Sequence, residues 1–404
     1  MSPPPSRPLW AGRALALAGI VLVAFNLRTG VASLSPILSR IEQDIPLSAV
    51  EVGLLGMLPP LCYALFGIVT PLIARRFGLE GTLIAALVVM IAGLAGRGLA
   101  GSSLGLLAAS TVLFAGVGVG NVLLPPLVKR YFPDRIALLT TIYVTLLSVS
   151  TFVPPLVAVP MADAAGWRVS IGMWAVVAAL ALVPWIALLV HPRRQARAVL
   201  PEEAAPGLLL RAARSSLAWS LAIVFAVAGF NAYAVFAWLP SILADTAGTS
   251  AAEAGALLSL YAAMGLPAGL LVPVIAARHG RVRTLVAVGV ASLVAGYAGL
   301  LVAPAAATWL WVALIGTGPL FFPLALVLIN LRSRTHTGAV ALSGFVQSVG
   351  YLVVALGPLV VGLLHDATGG WTAPLWLLLL SSIPAALGGL VVARKRYFED
   401  ERAR

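Results

Sequence analysis

Arg28 is the residue whose chemistry stands out. It lies in an apolar run, 15 residues after Arg13 and 12 before Arg40, and is the one charged side chain left near the middle of a hydrophobic stretch. An arginine held in hydrocarbon costs from about 3 to more than 10 kcal/mol unless it faces water or a partner. No Asp, Glu or His falls in the interior of an apolar run to neutralise it, which invites a mobile counter-ion. A guanidinium presents paired planar donors that fit a carboxylate, a nitro group or another small anion, and it keeps its proton at physiological pH. The competing role is structural, with Arg28 satisfying backbone carbonyls around a broken helix or Gly30.

Other polar residues are spaced to join it. Asn26, Gly30 and Ser33 share one helical stripe, and Arg28, Ala32 and Ser35 the neighbouring one. Ser343, Gln347 and Tyr351 fall at i, i+4 and i+8, flanked by Phe345 and Ser348, and such a stripe should face protein or water. Thr141, Thr145 and Ser148 repeat that spacing more weakly, because hydroxyls can bond their own helix carbonyls. Gly116, Gly118, Gly120 and Asn121 precede Pro125 and Pro126, a pattern for close packing and a bend, with Asn121 a further polar candidate. That glycine run has no strand before it and no phosphate-binding lysine after it, and no Walker motif occurs, which argues against ATP-driven pumping. Cys62 is a lone cysteine in an apolar run, so neither a disulfide nor a metal cluster is expected. With no nucleophile motif either, the residues predict a protein that is not an enzyme and needs no cofactor.

The elements that must hold these residues are membrane spans. With 61% hydrophobic and 10% charged residues, the 404-residue chain has too little polar surface for a soluble globule. Apolar runs predict an all-α membrane protein of twelve transmembrane helices, near 14–38, 50–74, 80–100, 104–128, 137–160, 169–190, 216–243, 254–277, 284–303, 308–331, 338–364 and 372–393, each about the length that crosses 30 Å of hydrocarbon. Of the 26 lysines and arginines, Arg40, Arg97 and Arg168 fall near one face, Arg28 within a span and the rest at the other face. That bias puts both termini in the cytoplasm and accounts for the net charge of +12 without a nucleic-acid partner. Met1 to Trp10 is proline-rich and carries no recognisable cleavage site, so helix 1 is expected to stay in the mature chain.

Internal repeats divide the chain. Phe25-Asn26 recurs as Phe230-Asn231, Ser48 to Gly53 as Ser250 to Gly255, Pro71 to Gly78 as Pro273 to Gly280, and Asp163 before Trp167 as Asp366 before Trp371. The near-constant offset predicts two related halves, a six-helix bundle over 1–190 and another over 217–404 with a cytoplasmic tail, joined by a charged linker at 191–216. The same offset sets Asn231 opposite Asn26 and Tyr233 opposite Arg28, so both halves should present polar groups to one cavity. Ser48-x-x-Glu51 and Ser250-x-x-Glu253 have capping-box spacing at the starts of helices 2 and 8.

Asn26-Leu-Arg28, Gly118-Val-Gly-Asn121-Val-Leu-Leu-Pro125 running to Lys129, and Gly344-Phe-Val-Gln347-Ser-Val-Gly-Tyr351 leading to His365-Asp366 and Trp371 together resemble the cyanate and 2-nitroimidazole permease family of the major facilitator superfamily. The resemblance spans essentially the whole chain. It implies two pseudo-symmetric six-helix bundles, alternating access and transport of a small anion or compact polar aromatic. The expected location is a bacterial inner membrane, with monomer as the default state and substrate and lipid as the expected partners. Arg28 would bind the solute, with Asn26, Asn121, Asn231, Tyr233, Gln347 and Tyr351 completing the shell. One departure is that the acidic position of the superfamily's loop between helices 2 and 3 is missing from Arg75-Arg-Phe-Gly78 and from Ala277-Arg-His-Gly-Arg281, which leaves Asp134 as a substitute gate partner. The alternative is efflux of bulkier drugs, for which Phe25, Phe230, Phe236, Trp238 and Phe345 could form an aromatic lining. A channel is disfavoured, since one arginine in one half makes no ring.

Overall fold

The computed structural model describes residues 13–190 and 206–401. Among these, twelve helices are long and apolar enough to cross a membrane: α1 (Ala14–Ala32), α2 (Ala49–Phe77), α3 (Leu79–Gly98), α4 (Ser103–Tyr131), α5 (Leu138–Ala165), α6 (Trp167–Val190), α7 (Ser216–Ala247), α8 (Ala251–Ala277), α9 (Val282–Val302), α10 (Thr308–Leu331), α11 (Thr337–Thr368) and α12 (Thr372–Val392). Each answers to one predicted span. The first is the least accurate, because α1 ends at Ala32 rather than near 38 and gives way to a tight turn at Ser35–Ile37 and a short helix at Leu38–Asp44. Pro36 has no N–H to continue the ladder, and its ring would meet the carbonyl of Ala32. Of the predicted linker, residues 191–205 lie outside the described residues, and Pro206–Ala213 forms a short helix.

The repeated motifs build repeated local structure. Both capping boxes form: the amides of Ser48 and Ser250 donate to Glu51 Oε2 and Glu253 Oε2, each at 2.8 Å, and the serine hydroxyls accept from the glutamate amides. Gly78 and Gly280 end equivalent segments and take positive φ values of 75° and 62°, a region that costs a Cβ-bearing residue energy. Buried apolar side chains fall into two large clusters, one drawn from Ala16 to Trp185 and the other almost wholly from Ala212 to Phe398, with a smaller third between Leu34 and Ile171, as two six-helix bundles allow.

The bundles touch most closely at the end that carries Ser48 and Ser250. Gly53 of α2 lies against Pro358 and Leu359 of α11, where a Cβ would come within 2.9 Å of the Leu359 Cα. Gly255 of α8 lies against Pro155 of α5, where a Cβ would meet the carbonyl oxygen at 2.8 Å. Gly53 and Gly255 are repeat equivalents at an offset of 202, and Pro155 and Pro358 at 203, so these are two copies of one contact related by the pseudo-twofold axis. At the other end, called here the basic end, the bundles separate around a cavity.

Ion pairs at the basic end brace single bundles. Arg13 grips Asp134 in a two-pronged pair, Nη1 to Oδ1 at 2.6 Å and Nη2 to Oδ2 at 3.1 Å, so Asp134 ties α1 to the loop after α4 instead of supplying the expected gate partner. The acid near the loop between α2 and α3 is Glu80, two residues past Gly78, which accepts from Arg130 and from the Tyr131 hydroxyl, again inside the first bundle. In the second bundle Glu399 accepts from the Arg334 and Thr335 amides and the Ser333 and Thr335 hydroxyls, strapping the tail to the loop before α11.

The hydrogen bond from Arg13 holds Asp134 down at about 2. Burial opposes the shift at Glu399, but the Arg334 amide and the Ser333 hydroxyl bring it to about 2 as well. Carboxylates with depressed folded values stabilise fully above their unfolded values near 4 and lose that contribution as pH falls through about 2. Melting of the detergent-solubilised protein should therefore drop between pH 4 and pH 2, and less steeply in Asp134→Asn; an equal slope would mean that the Arg13 pair does not contribute.

Candidate functional site

Arg28 leaves α1 two residues before Gly30 and enters a cage of tyrosines from three other helices. Nη1 donates to the Tyr63 hydroxyl of α2 at 3.1 Å, and the guanidinium carbon stands 5.3 Å from the Tyr63 ring centre. Tyr233 of α7 and Tyr351 of α11 complete the surround, with Tyr233 in hydrogen-bonding reach of Tyr63 and the Tyr351 ring edge-on to Tyr63 at 6.4 Å. The cage therefore draws Arg28 and Tyr63 from one bundle and Tyr233 and Tyr351 from the other. No described carboxylate pairs with Arg28. Three phenols and a guanidinium form a donor-rich, aromatic, net-positive site suited to a small anion or a nitro group.

The structural role considered for Arg28 is filled by another residue. Arg97, at the last turn of α3, donates from Nη1 to the Gly30 carbonyl at 2.6 Å and from Nε to Ser110 Oγ at 2.8 Å, with its guanidinium 4.9 Å from the Phe114 ring centre. Arg28 makes one long bond to the Leu27 carbonyl, at 3.5 Å. Arg97 is 1% exposed, so Arg28 is not the sole charge in the interior. Sequence position assigned Arg97 to a span end, and what it missed is that α1 and α4 cover that end of α3. Tyr63 was also missed; the available signal was a hydroxyl-bearing aromatic in mid-span beside Cys62.

A cavity of about 700 Å³ opens at the basic end beside this cage. Its walls come from α2, α4, α10 and α11 and include Tyr63, Lys129, Asn330, Ser343, Gln347 and Tyr351. The helix 11 stripe thus faces water, with Gln347 Nε2 donating to Ser343 Oγ at 2.7 Å. Arg28 is not itself on the cavity wall: Tyr63 and Tyr351 are, and Arg28 lies half-buried behind them.

Several candidates stand elsewhere. Asn231 is 1% exposed and fully engaged within the second bundle, donating to Ser381 Oγ at 2.8 Å and to the Val227 carbonyl, and accepting from the Tyr297 hydroxyl at 2.7 Å. Asn26 is buried too and donates to its own helix at Leu22, leaving Oδ1 without a donor. Asn121 donates to the Val117 carbonyl one turn back and is not on the cavity wall. Phe345 turns away to stack edge-on against Trp219, at 5.3 Å. Thr141, Thr145 and Ser148 on α5 line no part of the cavity; Ser148 donates to Val144 of its own helix. Phe25 packs on Trp174, and none of the five aromatics considered for bulky-drug efflux is among the described residues of this cavity wall.

The sequence and the twelve-helix fold have counterparts among known proteins. The model of the Major Facilitator Superfamily matches residues 20–354. The chain belongs to the major facilitator superfamily. It is 36% identical over 388 residues to the 2-nitroimidazole transporter of Escherichia coli K12, covering 95% of this chain and 96% of that one. It is 34% identical over 399 residues to the uncharacterized transporter YycB of Bacillus subtilis 168, with 96% of each covered. The cyanate transport protein CynX of E. coli K12 matches at 26% over 359 residues, 87% of this chain and 90% of that one. In fold it is similar to a bacterial homologue of the human lysosomal transporter Spinster, crystallised facing inward and unoccupied, with a TM-score of 0.77, 16% identity and 98% and 99% of the two chains aligned. The protein is a multi-pass membrane transporter of this superfamily.

Proposed function

We propose that this transporter moves a small anionic or nitro-bearing solute across the bacterial inner membrane by alternating access, with Arg28 as the binding cation. One observation carries the reading: the Arg28 guanidinium meets phenols and no carboxylate, while the Gly30 carbonyl that could have occupied it is held by Arg97. The functions for which the E. coli relatives are named, 2-nitroimidazole and cyanate transport, support the same substrate classes. The basic end, where the cavity opens, faces the cytoplasm by the positive-inside rule, and the two bundles rock about the tyrosine cage to open the other end. Tyr233 and Tyr351 reach Arg28 from the second bundle, so they change partners in that motion.

The test is thermal stabilisation of purified protein by cyanate, 2-nitroimidazole, other small anions and neutral drugs. Ligand at about 100 times its Kd should stabilise by about 2.7 kcal/mol. Losing charge-assisted hydrogen bonds of about 1.5–3 kcal/mol should weaken binding about 10- to 150-fold in Arg28→Ala, and Arg28→Lys should recover only part, since an ammonium lacks the planar fork. Equal stabilisation of wild type and Arg28→Ala by bulky neutral drugs would overturn the reading.

A further inference from the structure

Three chambers adjoin one another through shared or touching wall residues. The cavity at the basic end stops at Tyr63 and Tyr351. Beyond the cage is a small void of about 30 Å³, walled by Gly30, Val31, Arg97 and Phe114 from the first bundle and by Tyr233 and Phe236 from the second. Beyond that, a vestibule of about 490 Å³ occupies the opposite end. Ser35, Leu38 and Val52 line both the void and the vestibule, so they form a shared wall. Tyr233 is the corresponding partition on the other side, since it belongs to both the Arg28 cage and the void lining.

Arg97 is the cation of the void. Two of its nitrogens are engaged, by the Gly30 carbonyl and Ser110 Oγ, and Nη2 has no acceptor among the described residues. No described carboxylate pairs with it. The C-terminal end of α1 and one hydroxyl offset only part of the desolvation of a full charge, because a helix terminus carries about half an elementary charge. The remaining charge faces a void at the boundary between the bundles, large enough for a few-atom guest and too small for a nitroaromatic ring.

We propose that the Arg97 void is a second anion site, in series with Arg28, which a small monovalent anion occupies on its way between the tyrosine cage and the opposite vestibule. The proposal rests on the anion-transport reading given above and narrows it, because a linear anion of two or three heavy atoms fits the void. Tyr233, swinging with the second bundle, separates the two sites, so that the anion passes from one guanidinium to the next without entering hydrocarbon.

Bromide, located by its anomalous scattering in soaked crystals, tests the site without reference to the natural substrate. A bromide peak beside Arg97 Nη2 is expected in wild type and in Arg28→Ala, and none in Arg97→Gln. Wild-type crystals with no peak there would overturn the site. If that peak is present while no anion or nitro compound gives Arg28-dependent stabilisation, the substrate reading has failed and the site stands.

Its place on the path is tested by Val31→Leu, which narrows the void and leaves Arg97 intact. Uptake of cyanate into proteoliposomes should fall at least tenfold while Arg28-dependent stabilisation is retained, and Arg97→Gln should show the same split, with Arg97→Lys partly restored. Unchanged uptake in Val31→Leu would remove the void from the path. Joint loss of stabilisation and uptake in Arg97→Gln, with Val31→Leu unaffected, would reduce Arg97 to a clamp that positions Arg28 through Gly30.

Discussion

Gly53→Val should leave the protein folded but unable to close its opposite end. The added Cβ would stand 2.9 Å from the Leu359 Cα and 3.2 Å from the Pro358 carbonyl oxygen. Both are backbone atoms of another helix, so no rotamer change relieves the overlap, and α2 and α11 must part. Overpacking of this kind costs typically about 1–3 kcal/mol, charged only to the state in which these helices touch. The equilibrium should therefore move about 5- to 150-fold toward the state open at that end.

Gly255→Val should behave alike through the Pro155 carbonyl, as the second copy of the contact. Gly67→Val is the control on the same helix as Gly53, because nothing lies within 4 Å of a Cβ there. The reporters are single cysteines in a background without Cys62. Labelling of Leu55→Cys, which is 2% exposed and lines the void but not the vestibule, should rise with a membrane-impermeant maleimide, and that of Ser348→Cys on the cavity wall should fall. Identical labelling in Gly53→Val and Gly67→Val would show that the glycine–proline contacts are not what holds the end shut.

Asn231→Leu should cost stability and Asn26→Leu should not, although the two are repeat equivalents. Asn231 joins α7 to α9 through the Tyr297 hydroxyl and to α12 through Ser381. Its loss strands a buried phenol, at about 1–3 kcal/mol for an unsatisfied group, and removes a bond to α12 worth about 0.6 kcal/mol by membrane-protein averages. Asn26 bonds only within its own helix and already leaves Oδ1 orphaned. Where Tyr297 stands in the second half, the first half has residues such as Ala92 and Gly93, which supply no donor. Melting temperature in detergent should fall by several degrees in Asn231→Leu and stay within error in Asn26→Leu, with ligand affinity unchanged in both. A folded Asn26→Leu that no longer binds ligand would return Asn26 to the site.

Most of the architecture was legible in the order of residues. A span must be apolar for about 20 residues whatever it packs against, so the twelve helices could be counted from composition. Repeats at one offset announced two halves, and the serine–glutamate pairs announced helix starts, because capping is settled within four residues of chain. Arg28 was legible for a related reason: charge in hydrocarbon is costly at any rotation of the helix.

Rotation and depth were not legible. Repeat arithmetic placed Tyr233 and Asn231 alike, yet two residues along a helix differ by about 200°, and the packing of α7 turned Tyr233 toward Arg28 and Asn231 toward Tyr297. Arg97 sits at the same sequence distance from a helix end as any snorkelling arginine. Only the tertiary structure, by laying α1 and α4 against that end of α3, set its guanidinium on Gly30 and Ser110 and left the remaining charge facing a void. Burial of a side chain is decided by what the neighbouring helices cover, and the local pattern of residues does not contain those neighbours.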